Sequence, residues 1–161
     1  MIWLQILKTA HIISAAIIFG TGLGIAFFTW FGYRAAMRTR SMEALRALLK
    51  LTVIADAVLT APAVVFQAVS GALLMHFYRW PYDSPWSIAV WGLFVVAGVF
   101  WLPVLYIQWW LRREARHVTL VAALSGRFHR LFRWWFVLGV LAFATVIGIY
   151  WLMVAQPLVI T

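Results

Sequence analysis

The sequence predicts an all-α membrane protein, an up-down bundle of four transmembrane helices with both termini on the outer side of the membrane. Three observations predict it. Hydrophobic residues fill 66% of the 161 positions and charged residues only 11%, more apolar surface than a soluble domain of this size can hide. Four stretches, residues 2–33, 51–78, 86–111 and 134–156, exceed the roughly 20 apolar residues that cross about 30 Å of hydrocarbon. The basic residues gather in two of the three connecting loops. Together these make residues 1–161 a single transmembrane domain. The chain has no cysteine, which excludes disulfides and thiolate metal sites.

The first stretch lacks the basic start and compact apolar run of a cleaved signal peptide, so it is read as a retained helix. Lys8 and His11 lie three residues apart on one face of it, and that face continues through Ala15, Ile18, Gly22 and Thr29. Small residues beside a histidine leave room for a flat ligand or a close helix. Gly20 and Gly24 form a GxxxG on roughly the opposite face, read as a helix-packing surface and as a route to a homodimer.

The first loop carries Arg34, Arg38, Arg40, Arg46 and Lys50. Its sequence AAMRTRSMEALRALL is rich in helix formers, so an interfacial amphipathic helix is expected, with Met42, Leu45 and Leu49 toward lipid. In the second stretch Thr52, Asp56, Thr60, Ala63, Gln67, Ser70 and Gly71 recur at spacings of three and four. Lipid would not solvate that stripe, so it is expected against the other helices. Pro62 lacks the N–H that a helix interior needs, so a kink is expected there.

The second loop, YRWPYDSPW, offers only Arg79 against Asp83. The third stretch contains Pro103, a second expected kink. The third loop carries Arg112, Arg113, Arg116, Arg127 and Arg130, with Arg133 at the next helix start. Eleven of the thirteen basic residues therefore lie on one side of the bundle. The positive-inside rule makes that side cytoplasmic and turns both termini outward. The net charge of +9 is thus assigned to anionic lipid headgroups, not to nucleic acid. Trp80, Trp86, Trp109, Trp110, Trp134 and Trp135 sit near the ends of stretches, where amphipathic rings prefer the membrane interface.

Ionisable residues inside hydrocarbon are functional candidates by default. Here they are Lys8, His11 and Asp56. At 1.5 Å per residue, His11 falls at a depth similar to Gln67 and Ser70, while Asp56 lies deeper. One reading is a polar pocket in the outer half of the bundle centred on His11, since neutral imidazole is a common ligand of haem iron. His76 and Met153, shallower in the same half, are the further metal-ligand candidates. The other reading has His11 hydrogen-bonding across helices while Lys8 snorkels outward. Asp56 with Thr60 is read either as a helix lock or as part of a proton or ion path. His117 and His129 are read as interfacial. No HExxH, nucleophile elbow, phosphate loop or EF-hand occurs, and the four acidic residues are scattered.

The stretch LKTAHIISAAIIFGTGLGIAFF at 7–28 and the ending RLFRWWFVLGVLAFATVIGIYWLMVAQP at 130–157 resemble a bacterial family of predicted integral membrane proteins of unknown function. More distantly, Lys8-x-x-His11 before a small-residue helix is similar to the opening of HemJ-type membrane protoporphyrinogen oxidases and of CopD-type copper-associated membrane proteins. HemJ-type proteins bind haem b through a first-helix histidine. The resemblance carries that role to His11 and the neighbouring lysine to Lys8. The departures are concrete: the Pro-Arg pair after the first-helix glycine and the lysine of the third helix are absent here.

The leading expectation is a bacterial inner-membrane protein that binds b-type haem or porphyrin, for electron transfer with a quinone or other redox partner or for porphyrin handling. His11 would be the axial ligand, Lys8 the partner of a propionate, and Gln67, Ser70 and Gly22 the pocket wall. The alternative is a transporter subunit or accessory protein, with Asp56, Thr60 and Gln67 on an ion or small-solute path.

Overall fold

Each expected span is a helix, and each helix begins or ends beyond the bounds that hydropathy assigns. The computed structural model describes residues 2–155; the end placed at residue 156 lies outside them, as does Pro157. Four rods are long and apolar enough to cross a membrane. The first is α1, Ile2–Thr39. The second, Met42–Phe77, is built from α2 (Met42–Ala55), a π-helical segment (Asp56–Thr60) and α3 (Ala61–Phe77). The third is α4, Pro85–His117, and the fourth α5, Gly126–Val154. The most extensive packing joins α4 to α5, and α1 packs along both halves of the second rod.

The first loop is a correction. It was expected to lie along the interface, but only Arg40 and Ser41 interrupt the helices. Arg40 takes a left-handed φ of 55°, the Ser41 N–H returns to the Ala36 carbonyl at 3.1 Å, and the chain reverses as at a Schellman-type helix end. Ser41 then caps α2, its hydroxyl accepting from Ala44 N–H at 3.2 Å. Met42, Leu45 and Leu49 do not face lipid: they are 6%, 0% and 1% exposed. They join Leu111, Ala115, Phe128 and Phe132 in a closed apolar core. An amphipathic stripe reads the same whether lipid or protein covers it. The hairpin decides by folding α2 back onto α4 and α5.

That core sits at the arginine end of the bundle and is locked by side-chain caps. Arg46 on α2 reaches the last turn of α4, with Nε donating to Ala115 O and Nη2 to Val118 O, both at 2.8 Å. These carbonyls have no partner within their own helix. Ser125 caps α5, accepting from Phe128 N–H at 3.0 Å and donating to Glu114 Oε1 at 2.7 Å. Gly32 lets α1 cross close to α2: a Cβ there would come within 2.8 Å of Leu48 Cδ1 and push that side chain aside.

Pro62 produces a π segment, not a simple break. The Ala61 N–H reaches back to the Asp56 carbonyl, one residue farther than in an α-helix, and the wider turn absorbs the missing donor. α4 continues as a helix through Pro103.

Candidate functional site

Four polar pairs join α1 to the second rod. His11 meets Ser70, Ser14 meets Gln67, Thr21 meets Thr60 and Thr29 meets Thr52. Steps of three, seven and eight residues forward along α1 are answered by equal steps backward along the partner. The two rods are therefore antiparallel in one fixed register, with a polar rung wherever the small and polar stripes face each other. Hydrocarbon offers these groups no partner, so they find one another.

His11 is held on both sides. Its Nδ1 lies 2.7 Å from Ser70 Oγ, and its Nε2 lies 2.9 Å from Gln67 Nε2. Ser70 donates onward to Phe66 O at 2.6 Å, so its oxygen is free to accept. Gln67 takes the Ser14 hydroxyl on Oε1 and turns its N–H toward the ring. These roles fix a neutral imidazole with the proton on Nδ1. Gly71 lets α3 pass close to the ring, since a Cβ there would lie 3.3 Å from His11 Cε1. Lys8 is exposed on the same helix.

The cavity lies deeper than His11. It holds about 170 Å³ and is lined from all four rods. Its polar wall is Asp56, Thr60 and Gln67; Gly22 opens the α1 side and faces Phe143. His11 and Ser70 do not line it. Asp56 is 4% exposed and sits at the start of the π segment. Its polar neighbours are Gln108, Thr60 and Trp101. Gln108, the one amide on α4, accepts from Trp135 Nε1 at 3.2 Å.

The sequence-predicted residues thus divide. His11, Ser70 and Gln67 come together, and Gln67 also shares the cavity with Asp56, Thr60 and Gly22. His76 is exposed beside Trp80 and Tyr82 in a shallow hollow at the terminal end. Met153 is half-buried and away from the cavity wall. Sequence reasoning passed over Ser14, Gln108, Trp101 and Tyr150. Ser14 was findable, three residues beyond His11 on the same face; Gln108 was findable as the one uncharged polar amide of its span.

A haem iron at His11 would have to displace Ser70 or Gln67. Iron needs a free ring nitrogen, and both nitrogens have partners. A cavity near 150 Å³ holds about one benzene-sized ring, so the present one is far short of a porphyrin. Among the described residues no group of three or more His, Asp or Glu could hold a metal ion. At the arginine end, Tyr33 Oη lies 2.6 Å from His129 Nδ1, which ties α1 to α5.

Residues 5–157 match the profile of a family described as predicted integral membrane protein, DUF2269. No curated protein and no solved structure matches the chain.

Proposed function

The chain belongs to the DUF2269 family of predicted integral membrane proteins, and we propose that it binds a small, largely apolar solute between its four helices, with Asp56 as the polar contact. One observation carries this reading. A carboxyl, a threonine and an amide, on Asp56, Thr60 and Gln67, converge on a cavity whose remaining wall is almost wholly apolar. Ligand sites have that composition: apolar walls with a few placed polar groups. An acid left inside a membrane bundle is by default a candidate for a substrate or ion pathway.

In this reading the protein lies in the inner membrane of a bacterium. The arginine-rich hairpin and the α4–α5 loop face the cytoplasm, and His11 lies toward the outer side. The solute enters from the membrane phase or the outer side. It rests against Gly22 and the aromatic wall and meets Asp56 at the bottom. Porphyrin chemistry is not part of this reading.

The test is equilibrium binding of tert-butylbenzene to the detergent-purified protein, measured against a Gly22→Leu variant that fills the α1 side of the cavity. Wild type should take up the probe in excess of the variant. Equal uptake, which would reflect micelle partition alone, refutes the reading.

A further inference from the structure

Resting on the cavity as a solute site, we infer that its solute is a lipophilic monocation, an aromatic or alkyl ammonium built on about one ring, held by the Asp56 carboxylate inside an aromatic wall. The size follows from the volume of about 170 Å³, slightly more than a benzene cavity.

The charge follows from the neighbours of Asp56. Trp101 can only donate a hydrogen bond. Gln108 has its oxygen occupied by Trp135, so its amide N–H groups are what it offers the carboxyl. A site that presents donors suits an acceptor-only carboxylate. Yet none of the three polar side chains beside Asp56 is cationic. A lone negative charge in a low dielectric is costly until it is paired. The positive charge is what a ligand supplies.

The wall selects the kind of cation. Phe94, Trp101, Trp135, Phe136, Phe143 and Tyr150 all line the cavity. Aromatic rings attract ammonium groups, and cages of them recognise quaternary ammonium ligands. A hard divalent cation would have to bring most of its oxygen ligands in as water, and a wall made mostly of rings and aliphatic side chains gives that water few partners. An organic cation places its charge against Asp56 and its body against the rings, so both parts of the site are used. The bound pair is neutral overall, as a membrane interior requires.

Two probes of the same shape isolate the charge: phenyltrimethylammonium and tert-butylbenzene. Binding of each is measured calorimetrically to wild type, Asp56→Asn and Gly22→Leu. The cation should bind wild type about tenfold tighter than the hydrocarbon, a difference of about 1.4 kcal/mol. Asp56→Asn should lose that preference and still take the hydrocarbon. If wild type binds the hydrocarbon as well as the cation or better, the cation assignment is overturned and the cavity reading stands. If neither probe binds wild type more than Gly22→Leu, both readings are overturned. The comparison on wild type decides the case even where Asp56→Asn does not fold.

Discussion

Thr29 and Thr52 share a buried hydrogen bond of 2.8 Å between their hydroxyls, 23 residues apart in sequence. Thr52 donates to Leu48 O at 3.0 Å, so Thr29 is the donor of the pair. Removing either hydroxyl breaks this bond, and Thr29→Val or Thr52→Val should each cost about 1 kcal/mol. The double variant should cost less than the two together. A double-mutant cycle by denaturant titration in detergent checks this; strict additivity would show the pair uncoupled.

Arg46 closes the end of α4 from another helix. Arg46→Ala should destabilise the bundle by about 1.5–3 kcal/mol, because two carbonyls lose a charged donor. Arg46→Lys should rescue only in part, since an ammonium lacks the planar fork that serves both oxygens. Thermal unfolding of the three proteins reads the order directly, and full rescue by lysine would contradict it.

The absence of cysteine makes the orientation easy to read. Single substitutions Arg40→Cys and Asp83→Cys place a thiol at opposite ends of the bundle. A membrane-impermeant maleimide should label Asp83→Cys in spheroplasts and reach Arg40→Cys only after the membrane is opened. The reverse pattern would invert the topology.

Asp56 is the residue on which solute movement should depend. Asp56→Asn keeps the shape, removes the charge and exchanges one acceptor oxygen for an amide donor. In proteoliposomes it should abolish phenyltrimethylammonium flux while leaving helicity by circular dichroism near wild type. Flux that survives the substitution would remove Asp56 from the path.

His11 should show no haem spectrum. Protein purified after expression with added haem should lack a Soret band, because both ring nitrogens are engaged by Ser70 and Gln67. A Soret band that disappears in His11→Ala would mean that the helices rearrange to free the ring, and would restore the haem reading.

The spans were legible from hydropathy, and the meeting of His11 with Gln67 and Ser70 was legible from depth, because a constant rise per residue makes depth a matter of counting. Other features were not. The stripe of Met42, Leu45 and Leu49 fits lipid and protein equally well, and only the two-residue reversal at Arg40 and Ser41 decides between them. The π segment at Asp56 answers Pro62 at a distance that no local rule assigns. Gln108 and Trp101 matter because α4 turns them toward Asp56, a relation that spacing along one helix does not encode.

The equal steps of the α1 rungs have a mechanical meaning. Sliding α1 along its partner by one turn would keep one polar meeting, such as His11 with Gln67, and strand the other rung groups of α1 against apolar side chains. Piston motion is therefore costly to the pair. A passage around Asp56 opens more cheaply by α4 and α5 swinging as a leaf against this post.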